Sequence, residues 1–240
     1  MNLPVNGAQS KNKRMQLSDE AASYVRELIM SGQLRPGQHL RQEQVAAALE
    51  ISVTPVREGL LSLRAEGFLQ LQPRRGFVVA PLAPADIRDL FIAQALIAGE
   101  LAARAATTLT EEQIAELQAL QGRIDEAASN GDTDEMERLN HLFHRMINTS
   151  GGSGKLLWFL GFIAKYVPRR FYAMIGGWPD ASLHDHSSIV RALASHDPEA
   201  ARRAVTDHLR HAGELLADHF ASNSLDTAGT SGPDGAVPRS

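Results

Sequence analysis

The chain has 240 residues, no cysteine and a formal net charge of -4, which leaves room for two modest domains and excludes disulfides and thiolate metal sites. No apolar run reaches the roughly 18 residues of a membrane span, and the opening MNLPVNGAQSKNKRMQ lacks the apolar core of a signal peptide, so the expectation is a soluble cytoplasmic protein with no membrane partner. The charge is uneven: residues 1–82 hold ten Lys and Arg against seven Asp and Glu, a net +3, and the remainder carries -7. A basic module on an acidic body suits a polyanionic partner for one half only.

Residues 1–16 are polar and read as a disordered tail. Helical periodicity then runs from Asp19 to Met30, with Ala22, Val25, Leu28 and Ile29 on one face and Gly32 as a stop. Pro36-Gly37 marks a turn. Gln42 to Leu49 predicts a second short helix, and Glu50-Ile51-Ser52 the turn into a third. That third helix has Thr54 as its expected cap, Pro55 at its first position, and an end near Gly67. Two apolar stretches follow, Phe68 to Leu71 and Phe77 to Val79, around a tight Pro73-Arg74-Arg75-Gly76 turn. A helix feeding a hairpin with arginines at its tip is a winged helix-turn-helix over residues 17–80, an arrangement that offers one element to a major groove and another to the phosphate backbone.

Pro81 to Pro84 reads as a stiff connection (81–84). Beyond it lie about six helical patterns and no convincing strand: Ala85 to Ala106, Glu111 to Ser129 behind Thr110, Asp132 to Asn148, Lys155 to Ile175 with a bend at Pro168, Ser182 to Ser195, and Pro198 to Phe220. The fold class is therefore mostly α, a winged helix-turn-helix followed by an all-α bundle over residues 85–221. Residues 222–240, rich in Ser, Gly, Asp, Thr and Pro, read as a second disordered tail.

The DNA-binding chemistry falls on few side chains. Arg57, near the start of the third helix, can reach a guanine edge or a phosphate. Ser52 and Thr54 are short hydroxyls suited to phosphate oxygens, and the helix N-terminus favours anions. Arg74 and Arg75 form the wing tip, where Gly76 lets backbone approach a groove. The alternatives are an Arg57 ion pair with Glu58 or Glu43 and a merely solvated hairpin tip.

These motifs carry a resemblance. Ser31-Gly32-Gln33-Leu34-Arg35-Pro36-Gly37, Thr54-Pro55-Val56-Arg57-Glu58, Leu63-Arg64-Ala65-Glu66-Gly67 and Pro73-Arg74-Arg75-Gly76 resemble, in order and spacing, the DNA-binding module of the GntR superfamily of bacterial transcription regulators. The chain departs from that pattern where relatives often carry arginine, at Glu43 and Val53, and at Glu50, which stands in place of a frequent turn glycine. Val53 could instead touch a thymine methyl.

Eight of the nine histidines lie between His141 and His219. Asn140 and His144, four apart, share one helix face, while His186 and His208 fall on later helices. Three imidazoles and one oxygen ligand make a plausible divalent site in a bundle core. The second half resembles the metal-binding FCD domain of FadR-type GntR regulators, through Asn140-His141-Leu142-Phe143-His144, Asp185-His186-Ser187-Ser188-Ile189 and Asp207-His208-Leu209. The resemblance implies that Asn140, His144, His186 and His208 ligate a divalent metal such as zinc. It also implies a small-molecule effector, an organic acid, for which relatives often use arginine where Gln94 stands; Arg169, Arg170 and Tyr172 could substitute. The expected function is a ligand-responsive repressor that binds a pseudo-palindromic double-stranded operator as a homodimer and is released by its effector. The alternatives are a metal-dependent hydrolase with a DNA tether and a metal-free regulator whose bundle only dimerises.

Overall fold

The computed structural model describes residues 6–167 and 178–226, with side chains over 12–167 and 185–222. The chain divides between Leu82 and Ala83 into two compact units, within the connection expected at 81–84.

The first unit begins with α1 (Asn6–Met30), then β1 (His39–Leu40), α2 (Gln42–Ala48), α3 (Val53–Ala65), β2 (Leu69–Gln72) and β3 (Gly76–Val79). The strands form an antiparallel sheet ordered β1-β3-β2, with Gln72 opposite Gly76 at the hairpin and Leu40 opposite Phe77. Val25, Val45, Val56, Leu60 and Leu63 are fully buried where α1, α2 and α3 meet. The α1–α3 approach is close because residue 59 is glycine: a Cβ there would lie 2.5 Å from the Ser18 carbonyl oxygen. Beside it, Arg26 forms a buried ion pair with Glu66 at 2.6 Å and lies over the Phe68 ring.

The observed elements differ from the expected ones at several places. Residues 6–16, read as part of a disordered tail, belong to α1, and Arg14 ties that end to α3 through the Glu58 carboxylate. The residue before α3 is Ser52 rather than Thr54, and its side chain makes no capping bond. Pro55 then sits third in the helix, where its missing N–H is still among those with no intrahelical partner. The two-residue strand β1 lies in what sequence alone presents as a turn; it is held by long-range pairing with β3. The last helix runs to Asp226, so residues 222–226 of the second expected tail are helical.

The second unit contains α4 (Pro84–Thr108), α5 (Glu111–Ser129), α6 (Thr133–Ser150), α7 (Gly154–Ala164), α8 (Trp178–Ala194) and α9 (Pro198–Asp226). Pro84 opens α4 at its first position, and the Asp86 carboxylate accepts the Ala83 N–H at 2.7 Å. Thr110 and Gln113 cap α5 reciprocally, and Asp132 caps α6. By length and composition α4 could cross a membrane. Here it is a core helix, burying Ile87, Phe91, Ala95, Ala98, Leu101 and Ala105. It meets α9 at two glycines: a Cβ on Gly213 would lie 2.6 Å from Phe91 Cβ, and one on Gly99 2.6 Å from Thr206 Oγ1. Outside that seam, Arg88 reaches Glu214 and Asp218, and Arg202 reaches Glu100. The helix expected from Lys155 to Ile175 ends at Ala164, and Lys165 to Val167 form a turn; the expected bend at Pro168 lies outside the described residues.

Glu50 adopts φ +53° in the turn before α3, the left-handed region that costs a non-glycine residue about 1–2 kcal/mol. Replacing it with glycine, Glu50→Gly, is expected to raise unfolding free energy by about 1 kcal/mol, measured as a shift of the urea midpoint at unchanged slope.

Candidate functional site: a recognition face and a histidine centre

On α3 Val53, Thr54, Arg57, Leu61 and Arg64 are among the residues that face solvent, while Val56, Leu60 and Leu63 on the opposite side fill the core. Ser52 is exposed just before them. The ion-pair alternative for Arg57 is not realised. Glu58 is occupied by Arg14 and accepts the Ser18 hydroxyl at 3.0 Å, contacts that hold its carboxyl below the usual range. Among the described residues Arg57 has no ion pair, and its guanidinium is presented outward. Val53 and Leu61, 40% and 41% exposed, flank it one turn away on either side, so a cation stands between two apolar contacts. Leu61 escaped the sequence reading because an apolar residue in a helix is assigned to the core by default.

The wing places Arg74 and Arg75 at its tip, both exposed. The Arg75 N–H donates to the Gln72 carbonyl at 3.2 Å, closing the turn around Pro73 and Arg74. Arg74 takes φ +65° and Gly76 φ +74°. A left-handed arginine is costly, whereas Gly76 takes that conformation freely.

In the second unit, His144 from α6, His186 from α8 and His208 from α9 converge, their ligand atoms all within 4.8 Å of one another. His144 Nε2 lies 3.2 Å from His186 Nε2 and 3.2 Å from His208 Nε2. Two nitrogens bound to one tetrahedral zinc at about 2.0–2.1 Å stand about 3.3 Å apart, so the spacing fits a shared cation. His186 is fully buried and stacks on Phe143, centroids 4.4 Å apart. His144 keeps some solvent contact, but surrounding protein desolvates its ring. Burial, then the neighbouring histidines, pushes both His144 and His186 well below the ordinary imidazole range, which favours the neutral form a metal requires.

The surrounding groups aim the rings. Gln121 Oε1 lies 2.8 Å from His186 Nδ1, and Gln121 Nε2 donates to Asp125 Oδ1 at 2.7 Å. An amide oxygen can only accept, so Nδ1 carries the proton and Nε2 offers its lone pair to the centre. Asp185 Oδ2 lies 3.4 Å from His208 Nδ1 and 3.2 Å from His211 Nδ1. The first approach is electrostatic rather than a formed hydrogen bond, because His208 Nδ1 has no hydrogen-bond partner. His208, then His211, holds the Asp185 carboxyl below its usual range. Asn140 Oδ1 is buried and has no partner. A buried acceptor in that condition is costly, and it stands one helical turn before His144 on α6.

Gln121 was missed by sequence reasoning because nothing in its helix distinguishes it; its partner His186 is 65 positions away. Gln94 is 5% exposed on α4 and its Nε2 is a buried donor without a partner. Arg169, Arg170 and Tyr172 lie outside the described residues. His196 belongs elsewhere: it lies in the turn two residues past α8 at φ +50°, and its Nδ1 lies 2.9 Å from the Ala106 carbonyl, which with Glu111 raises its pKa.

The low pKa values of His144 and His186 have a testable sign. Below about pH 6.5 the unfolded chain protonates both rings while the folded chain does not, so stability falls as pH falls. In chelator-treated protein the melting temperature is expected to drop between pH 7 and pH 5, and a His144→Asn/His186→Asn variant to lose most of that dependence.

Residues 17–79 match the family described as bacterial regulatory proteins, gntR family, and residues 89–211 match the FCD domain. The "HTH-type transcriptional repressor RspR" of Escherichia coli (strain K12) is 29% identical over 195 residues, covering 80% of this chain and 85% of that protein. The "Probable D-xylose utilization operon transcriptional repressor" of Paenarthrobacter nicotinovorans is 32% identical over 215 residues, 86% of this chain and 92% of its own length. Among solved structures, that of E. coli McbR/YncC superposes with a TM-score of 0.61 at 20% identity, covering 88% of this chain and 98% of that one, a likeness of fold. The chain is therefore a member of the gntR family of bacterial transcription regulators, with a winged helix-turn-helix first unit and an FCD domain as its second.

Proposed function

We propose that this regulator is a cytoplasmic homodimeric repressor that binds a pseudo-palindromic operator through Ser52, Thr54, Arg57, Arg74, Arg75 and Gly76. Its FCD unit holds a divalent metal, zinc by its donor set, on Asn140, His144, His186 and His208. The observation that carries the sensor half is the meeting of three imidazole nitrogens at metal-ligand spacing in the unit that also buries the unpartnered Asn140 oxygen. The hydrolase reading has no support from kinship, since the relatives are named as transcription regulators.

A bound cation would act as a Lewis acid that anchors an oxygen of the effector. The proposed protein ligands are all neutral, so a divalent ion there keeps its whole positive charge. An effector carboxylate compensates that charge, which makes a small organic acid the favoured class. The buried Gln94 amide offers that acid a donor without charge. Residues Gln121 and Asp125 hold His186 in its ligating tautomer. Effector binding and operator binding are linked reciprocally, each altering the affinity for the other by one common factor.

The DNA half is tested by fluorescence anisotropy on selected operator sequences. Arg57→Ala is expected to cost about 1–3 kcal/mol of specific binding while leaving the melting temperature unchanged; unaltered specificity would remove Arg57 from the recognition face. The Arg74→Ala/Arg75→Ala pair is expected to weaken all sequences alike and to lower the log–log salt slope by about 2. The sensor half is tested by metal analysis after dialysis. Wild-type protein is expected to retain about one divalent ion per chain, and His144→Ala/His186→Ala to retain none. Stoichiometric metal in that variant would refute the site.

A further inference from the structure

The net positive charge of residues 1–82 does not reside in the winged helix. Residues 19–82 hold seven arginines against seven acids and are neutral, whereas residues 1–18 carry Lys11, Lys13 and Arg14 and no acid. The whole +3 therefore belongs to the first eighteen residues. Within them lie the opening turns of α1, from Asn6 onward, with no acidic residue in the first turn. These turns precede the segment that matches the gntR family, which begins at residue 17.

Two observations set this charge beside α3. The first is a tether. Arg14 Nε donates to Glu58 Oε2 at 3.1 Å, and the Ser18 hydroxyl donates to the same oxygen. Glu58 directly follows Arg57 in α3, so the tether is fastened one residue from the outward guanidinium. The second is exposure. Asn12, Lys13, Arg14, Met15 and Gln16 are all exposed, and five consecutive residues go fully around a helix. No side of this turn is committed to the core, so packing does not account for it. Lys13 has no ion pair among the described residues. Lys11 stands three positions before Arg14, about 4.5 Å along the helix axis.

We propose that the opening turns of α1 form a phosphate-binding arm, in which Lys11 and Lys13 hold the duplex backbone at the edge of the groove that α3 enters. The proposal rests on the reading of the α3 face as the operator-reading surface and adds a contact outside it. Charge selects the occupant. Duplex DNA presents one negative charge per roughly 1.7 Å of its axis, and a duplex docked on Arg57 brings that density to cations fastened beside it. Because residues 19–82 are neutral, the arm also supplies the long-range field that steers a polyanion towards this unit. Arg14 has a different part: Glu58 compensates its charge, which leaves the two lysines to meet phosphate.

The test is fluorescence anisotropy of the full chain on a selected operator duplex and on a random-sequence duplex at several salt concentrations, with circular-dichroism melting as a check on folding. Lys11→Gln/Lys13→Gln, which keeps good helix formers, is expected to lower the log–log salt slope by about 2 per chain on both duplexes, because phosphate contacts carry no sequence information. The ratio of operator to random affinity is expected to stay at its wild-type value in that variant and to fall in Arg57→Ala. Lys13→Gln alone is expected to lower the slope by about 1. A folded double variant with an unchanged slope overturns the arm, and a loss of specificity in Arg57→Ala then leaves the recognition face standing without it. Should the double variant fail to fold, an unchanged slope for Lys13→Gln overturns the proposal. If neither Arg57→Ala nor the lysine variants alter binding, the recognition face and the arm are both refuted.

Discussion

The second unit depends on how closely α9 can approach α4. Gly99 and Gly213 remove the side chains that would otherwise collide with Thr206 and Phe91, and α9 settles into that seam with His208 between the two crossings. Only with α9 at this depth can its imidazole come within 3.2 Å of His144 on α6, which itself lies 3.2 Å from His186 on α8. The histidine centre is thus a consequence of helix packing before it is a matter of ligand chemistry. Low dielectric around the cluster then keeps His144 and His186 neutral and leaves their lone pairs available.

The first unit follows the same logic with different chemistry. Gly59 lets α1 lie against α3, which commits one side of α3 to the core and leaves Val53, Arg57 and Leu61 facing water. Arg26 and Glu66 fasten the far end of that contact as a buried ion pair. Such a pair contributes little net stability over an apolar substitute, but removing one partner would strand the other charge. The exposed face of α3 is thus positioned by the packing of its buried side.

Much of this was legible in the sequence because the signals are local. The turn glycines, Pro84, the Thr110 cap and the apolar periodicity each act within a few residues, and they placed most helices to within two or three positions. The three histidines were picked out through spacing and family likeness, and the fold brings them together. What escaped was made by distant partners. The strand at His39 and Leu40 exists only because β3 lies beside it. The start of α1 is polar and lacks periodicity, yet it is helical where Arg14 reaches α3. Gln121 gains a role only when His186 folds against it. Leu61 and the aromatic groups of α7 look like core residues in one dimension and are half exposed in three.

The Arg14–Glu58 contact bears on the electrostatic potential at the groove. Glu58 is the immediate neighbour of Arg57, and a bare carboxylate there would set a negative charge against incoming phosphates. Arg14 and the Ser18 hydroxyl take up that carboxylate, so a duplex docked on α3 as proposed would meet the field of Arg57 rather than of a neutralised pair. The early turns of α1, remote in sequence from α3, thus act as a counter-ion built into the chain.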